Sequence, residues 1–202
     1  YAFAPRVYLH RFFDFSTAPY IFLVDEAPNL PDRARSMYSA ELEKKAVLDL
    51  QRQLKSHLPA LVKKLSAINK IMLEMRKACQ EEGKQALVEH ELPEALLQAI
   101  REFSQKAEDW LVQNQPASFR QDLLEFYFLC SNYLRTAEYF DTFYVSYFER
   151  QGKADLKAKI FCLDPAQEES LRNRDGADLG YIVLDPTSLA DSPGGEAFRP
   201  GL

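Results

Sequence analysis

The spacing of apolar residues between Val47 and Cys79 constrains the fold most strongly. Apolar side chains recur there at alternating intervals of three and four residues, which is typical of helices that pack along one seam. The positions are Val47, Leu50, Leu54, His57, Leu61, Leu65, Ile68, Met72, Met75 and Cys79. Pro59 has no backbone N–H and disrupts a helix interior, so the pattern predicts two helices, the second ending near Gly83.

Two more helices are predicted further along the chain, one from Pro93 to Gln113 and one after Pro116. Their inward residues are expected to be Leu96, Ile100, Phe103, Ala107, Trp110, Phe119, Leu123, Phe126, Cys130, Tyr133 and Ala137. Short polar turns between such helices predict a bundle-like unit. His57 has no second histidine or acid at a matching spacing, which favours a core or edge role over that of a ligand.

The apolar period changes from 3.6 to 2 after the fourth helix. Residues 143–148 and 156–162 alternate, and residues 151–155 have the composition of a turn, which predicts a β-hairpin. Most of its aromatic side chains are expected in the core, with Tyr144 on the polar-facing side as a platform for base stacking. The fold is therefore predicted to be mainly α with a small β-hairpin.

An apolar run, Tyr20–Val24, leads directly into Asp25 and Glu26. Such a run is typical of a strand buried inside a parallel sheet, and ligands of open α/β sheets bind at the carboxyl ends of the strands. In nucleotide-hydrolysing motors an acid pair at this point is the Walker B arrangement, in which one acid holds Mg²⁺ and the other polarises the attacking water. These residues alone leave open a strand that merely ends in Asp-Glu and caps the next helix.

The residues that follow carry a family resemblance. Residues 25–35 read DEAPNLPDRAR, in which Asn29 and Pro31 predict the start of a helix. The segment resembles the DEAH box of superfamily 2 helicases of the XPD/DinG branch. Residues 39–47 are similar to the start of the helical arch that follows the box in that family. Residues 1–13 and 160–165 resemble the segments entering the box strand and returning from the arch, so the resemblance covers roughly residues 1–171.

The resemblance implies a fragment of an ATP-dependent DNA helicase that translocates 5′ to 3′ on single-stranded DNA in repair or replication restart. ATP and Mg²⁺ would be its cofactors, with Asp25 as the Mg²⁺ ligand at the nucleotide and Glu26 as the catalytic, water-positioning residue. The implied fold is a helical arch-type insertion attached to part of a RecA-like α/β motor domain. Residues 1–38 would belong to motor domain 1, residues 39–142 to the arch, and residues 143–202 to the hairpin, the return to the motor and a weakly patterned tail.

Several features depart from the family pattern. Pro28 occupies the position of the box histidine and offers neither an imidazole nor a backbone N–H. After Leu171, where the family continues toward a Ser-Ala-Thr motif, residues 180–188 read GYIVLDPTS. The chain contains no GxxxxGK[ST] phosphate loop, so by itself it is expected to be inactive. The cysteines of the family's iron-sulfur cluster would lie upstream of Tyr1.

The sequence also indicates a cellular location for the protein. No apolar run approaches the length of a membrane span and the amino terminus lacks the layout of a signal peptide, so we expect an intracellular, cytoplasmic protein with no membrane partner. The three cysteines are far apart and form no CxxC motif, which predicts buried thiols rather than disulfides or metal ligands.

Charge is unevenly distributed within a net charge of −5. Residues 51–80 contain seven basic residues and one acid, whereas residues 81–115 contain three basic residues and eight acids. One explanation is that the oppositely charged helices pair with each other. The alternative is a passage for single-stranded DNA, in which phosphates are attracted without sequence preference. Its predicted lining is Lys44, Lys45, Arg52 and Lys55, with Lys63 and Lys64 expected to matter less.

Two other functions remain open at this point. The chain could be a non-enzymatic helical module that binds a protein partner, whose identity the sequence does not indicate. It could also be a degenerate helicase remnant that binds DNA without hydrolysing ATP. A phosphate loop upstream and a second motor domain downstream in the parent protein would favour the enzyme.

Overall fold

The computed structural model describes residues 27–81, 83–113, 116–152 and 154–165. These residues form a mainly α fold with a small antiparallel sheet. The elements are α1 (Leu30–Met37), β1 (Ala40–Glu43), α2 (Lys44–Leu54), α3 (Pro59–Glu81), β2 (Ala86–Glu89), α4 (Glu94–Leu111), α5 (Arg120–Glu138), β3 (Tyr144–Gln151) and β4 (Asp155–Cys162). The predictions for residues 1–26 and 166–202 lie outside the described residues.

Helix α1 begins where the sequence predicts it. A 3₁₀ turn, Ala27–Asn29, precedes the helix, and Pro31 lies in its first turn, where backbone N–H groups have no helical partner in any case. The Asn29 side chain makes no capping hydrogen bond. Asp32 lies near the positive end of the helix dipole and pairs with Arg35 at 2.9 Å, which stabilises the first turns.

Helices α2 and α3 confirm the predicted pair of helices divided near Pro59, which is the first residue of α3. Gly83 follows α3 with φ +65, a left-handed conformation that favours glycine. The Lys84 N–H donates to the Cys79 carbonyl and the Gly83 N–H to the Gln80 carbonyl, the pair of bonds that ends a helix in a Schellman motif. His57 lies exposed in the turn between the helices with its ring centroid 5.0 Å from that of Phe119, so of the two predicted positions it has the edge one and not the core one.

Helices α4 and α5 also follow the prediction. Of the eleven side chains expected to point inward, ten are buried, and Trp110 packs partly buried against the core. Phe103 and Phe126 meet edge to face with ring centroids 5.2 Å apart, which joins α4 to α5 at the centre of the core. Trp110 lies 5.3 Å from Phe119, measured between ring centroids.

The predicted hairpin is present as β3 and β4, but it belongs to a four-stranded sheet with the order β1-β4-β3-β2. Ala40 pairs with Ile160 at one edge of the sheet, and Leu87 pairs with Phe148 at the other. The two edge strands were not predicted, because each has only four residues, too few for a period-2 pattern to stand out. Residues 40–43, expected to begin the arch helices, therefore form a strand.

One face of the sheet packs on the helices. The alternate residues of β4 that point toward the helices are all buried, namely Leu156, Ala158, Ile160 and Cys162. Tyr144 shares this face, since it pairs with Cys162, and it is 1% exposed. The prediction of Tyr144 as a stacking platform was therefore wrong. The rule of alternation was right, but the sequence did not indicate which of the two alternating sets faces the helices.

Helices and sheet share one hydrophobic core, which extends from Tyr38 and Leu42 to Ile160 and Cys162. Helices α2 and α3 contact β4 and β3, and α5 contacts β1. The hairpin therefore packs against the helices that precede it. The division of the chain at residues 38 and 142 stays a prediction.

Candidate nucleic-acid interface

The carboxylates predicted to act on a nucleotide, Asp25 and Glu26, lie outside the described residues. The neighbouring Pro28 is exposed, within the 3₁₀ turn that precedes α1. Among the described residues, no group of three or more histidines, cysteines or acids is arranged to hold a metal ion. Of the predicted site residues, the cations on α2 lie within the described part of the chain.

Lys44 is the one predicted cation that is not on the surface. Its side chain is 5% exposed, and its Nζ donates a hydrogen bond of 2.8 Å to the Ala154 carbonyl, next to the turn between β3 and β4. The hydrogen bond compensates for burying the ammonium group. Because Lys44 is almost completely buried and its Nζ is bonded to this carbonyl, Lys44 is removed from the candidate interface.

Lys45, Arg52 and Lys55 are exposed, as a contact with phosphate requires. Lys45 and Arg52 are seven residues apart, so they lie within about 20° of each other on the outer side of α2. Arg52 forms a 2.8 Å ion pair with Asp49, in which the Arg52 side chain remains 74% exposed. Such an exposed pair contributes little to stability and leaves donors of Arg52 available.

A second set of cations lies on α3, and of these only Lys63 was predicted from the sequence, as a lesser contact. We call Lys63, Lys70 and Lys77 the lysine row. They recur at intervals of seven residues, all three are exposed, and none forms an ion pair with another described residue. Helical geometry places them in a line with steps of about 10.5 Å, on the side opposite the buried residues Leu65, Ile68 and Met72. The seven-residue spacing of these lysines could have predicted that they share one face of α3. The apolar residues of the same helix repeat at the same interval, and the interpretation of the sequence used those residues instead.

The acidic helix α4 neutralises only part of the positive charge of α3. The Lys64 ammonium lies 2.8 Å from the Glu102 carboxylate of α4, and this hydrogen bond holds the pKa of Glu102 below its usual value. Lys64 thus confirms the predicted pairing between the oppositely charged helices. The same pairing does not extend to the lysine row, because those side chains point away from α4.

The structure also places the two ends of the helical unit side by side. The Arg35 Nε donates to the Leu163 carbonyl at 3.2 Å, and the Cys162 N–H donates to the Ser39 hydroxyl at 3.0 Å. Next to these two hydrogen bonds, strand β1 pairs with strand β4. The chain therefore enters the unit beside α1 and returns to the same place after more than a hundred residues, which is the arrangement that allows one domain to be inserted in another.

The Lys157 side chain strengthens this junction by bridging two acids of β1. Its Nζ lies 3.3 Å from Glu41 and 3.2 Å from Glu43. Burial lowers the pKa of Lys157, but the hydrogen bonds to Glu43 and Glu41 outweigh burial, so the pKa lies above its ordinary value. The ammonium therefore remains charged and holds the edge strand over the whole physiological pH range.

The remaining sequence predictions concern thiols and membranes. Cys79, Cys130 and Cys162 are buried thiols, as predicted. Burial raises the pKa of the Cys130 thiol far above its usual value, which makes this thiol unreactive in the folded protein. Within the described ranges, no helix combines the length and the apolar character needed to cross a membrane.

Comparison of the chain with protein-family profiles and with curated proteins finds no match. The functional interpretation therefore depends on the sequence resemblance around residues 25–35 and on the geometry of the helical unit.

Proposed function

We propose that the chain is a fragment of an ATP-dependent DNA helicase, in which the helical unit is an insertion in a RecA-like motor domain and contacts single-stranded DNA. The supporting observation is the adjacency of Arg35 and Leu163, since an insertion must leave and re-enter its host at neighbouring points. This point of exit lies directly after the DEAPNLPDRAR segment, where the resemblance expects the arch to begin.

The proposed chemistry assigns one role to each carboxylate of the box. Carboxylate oxygens are suitable Mg²⁺ ligands, so Asp25 fits the role of holding the ion that accompanies ATP. Glu26 would orient the attacking water and accept its proton. The bound Mg²⁺ would neutralise charge on the phosphates. Pro28 cannot relay a proton, so coupling between DNA and nucleotide would use other residues.

The substitution Glu26→Gln tests the catalytic role in the full-length parent helicase. The amide keeps the size of the side chain but cannot accept a proton, so we expect ATP hydrolysis to slow by about 10²–10⁴-fold with ATP binding retained. Glu108→Gln, at an exposed position on α4, is the matched control and should hydrolyse ATP at the parental rate. Parental hydrolysis by Glu26→Gln would remove the assignment. A parent that binds single-stranded DNA but never hydrolyses ATP would favour the degenerate remnant.

A second candidate function is supported by a different surface. On α5, Phe128 is 59% exposed and Leu129 is 45% exposed, and large apolar side chains at the surface occur at protein interfaces. A helical module that binds a protein partner would use this helix rather than the cations of α2. Substitution of Phe128 by serine should leave DNA binding unchanged under the helicase proposal.

A further inference from the structure

We propose that the groove between α2 and α3 holds the sugar-phosphate backbone of a single strand, with cations of both helices on either side. This inference rests on the proposed contact with single-stranded DNA and specifies where the strand lies. It also gives the lysine row of α3, of which Lys63 was expected from the sequence to matter less than the cations of α2, an equal part in binding.

The floor of the groove is polar and defined by a contact between the helices. The Gln51 amide donates to the Ser66 hydroxyl at 2.7 Å, and the Ser66 hydroxyl donates to the Val62 carbonyl at 2.8 Å. This contact shows which side of each helix faces the other, because Gln51 and Ser66 lie at the seam. A polar floor suits a hydrated backbone better than an apolar partner helix.

Helical geometry places cations on both sides of this seam. Lys55 is four residues beyond Gln51, so it lies on the same side of α2, toward α3, whereas Arg52 is one residue beyond Gln51 and lies about 100° further round the helix. On α3, Lys63 and Lys70 are three residues before and four residues after Ser66, so they lie on the same outward side as Ser66. Packed helices have axes about 8–10 Å apart, so Lys55 on α2 and the lysine row on α3 flank a narrow channel.

The acids near the groove determine where binding is strongest. Asp49 is paired with Arg52. The exposed acid Glu74 lies beside both Lys70 and Lys77, and the exposed acid Glu81 lies beside Lys77 at the far end of α3. Positive charge is therefore densest between the turn at residues 55–58 and Lys70. We expect Lys63 and Lys70 to contribute more to binding than Lys77.

The shape of the groove favours a single strand over a duplex. The major groove of duplex DNA is by itself about 12 Å wide, more than the distance of about 8–10 Å between the axes of packed helices, so a duplex cannot enter a channel between them. A single strand is flexible enough to follow the channel along the helix axes. Each phosphate contact releases condensed counterions, which makes affinity dependent on salt with a slope of about −0.7 per contact.

The test measures binding of a fluorescent 20-nucleotide oligo-dT to the 202-residue chain as a function of salt. Replacing Lys63 and Lys70 by alanine should weaken binding and flatten the slope by about 1.4 units, the value for two contacts. Replacing both by arginine keeps the charge and should preserve the slope. Lys106→Ala with Arg135→Ala removes the same charge from exposed positions on α4 and α5 and should leave binding unchanged.

A second pair of variants tests the position of the strand. Gln51→Glu introduces a negative charge at the groove floor and should weaken binding, whereas Gln53→Glu introduces the same charge on an exposed side of α2 away from α3 and should have little effect. Circular dichroism checks that each variant is folded. Equal effects of the two substitutions would overturn the groove as the site.

The outcomes separate this inference from the proposed function. In one outcome, Lys45→Ala with Arg52→Ala flattens the slope, whereas Lys63→Ala with Lys70→Ala does not. The strand then contacts the outer side of α2 alone. This result overturns the groove but leaves the helicase proposal standing. A loss confined to the lysine row, with no effect of Lys55→Ala, also overturns the two-sided groove. A duplex of equal length that binds as tightly, or polyglutamate that competes as well at equal charge, would overturn the assignment to a single strand.

Discussion

Neighbouring residues of one charge have different roles in this protein. Lys44 and Lys45 are adjacent in the sequence, yet Lys44 is buried with its ammonium bonded to Ala154, whereas Lys45 is exposed. Adjacent positions of a helix are about 100° apart, so one lysine faces the sheet and the other faces solvent. A lysine pair in a sequence therefore does not identify two phosphate contacts.

Substitution of Lys44 by alanine should lower stability rather than DNA affinity. The change removes the partner of the Ala154 carbonyl and the packing of the aliphatic stem, which together cost about 1–3 kcal/mol. Chemical denaturation followed by circular dichroism measures this loss, and Lys45→Ala should show almost none. The prediction fails if Lys44→Ala keeps full stability and instead flattens the salt dependence of DNA binding.

At the scale of elements, helix ends are determined by local chemistry. Proline begins α3, and glycine ends it in a left-handed conformation that lets the Schellman hydrogen bonds form. These signals operate over a few residues, which explains why the helix boundaries were predicted to within a few residues. The four-residue edge strands have no comparable local signal and form because β3 and β4 offer them hydrogen-bonding edges.

Gly83→Ala should destabilise the end of α3. A Cβ at this position meets no atom within 4 Å, so the cost arises from the positive φ alone, at about 1 kcal/mol. Gly83→Asn is the matched control, because asparagine tolerates this conformation better and should cost less. Thermal unfolding followed by circular dichroism measures both variants. Equal losses would show that the backbone conformation is not the cause.

At the scale of the whole molecule, the shared core predicts cooperative unfolding. Trp110 on α4, the only tryptophan of the chain, reports on the helices, and Cys162 on β4 reports on the sheet. Because their elements belong to one core, both should report the same denaturant midpoint. Tryptophan fluorescence and labelling of Cys162, resolved from the other thiols by peptide mass spectrometry, measure the two midpoints. Separate midpoints would instead support a domain boundary near residue 142.

The sequence by itself determined the helices, the hairpin and the buried face of each helix. Proline and glycine mark the ends of helices, and apolar residues repeat with the period of the backbone, so both kinds of information are local. Nearly every helical residue predicted to face inward does so, including Leu65 and Phe126. The burial of the three thiols followed from the same apolar patterns.

Only the tertiary structure decided which surfaces are available. It buried Lys44 and Tyr144, paired Lys64 with Glu102, left the lysine row exposed beside α2, and brought Arg35 to Leu163. Each of these outcomes depends on which element packs against a given face, and the partners are far apart in the sequence. Periodicity shows that a side chain lies on a particular face of an element, but the charge and shape of the opposing element determine what that side chain contacts.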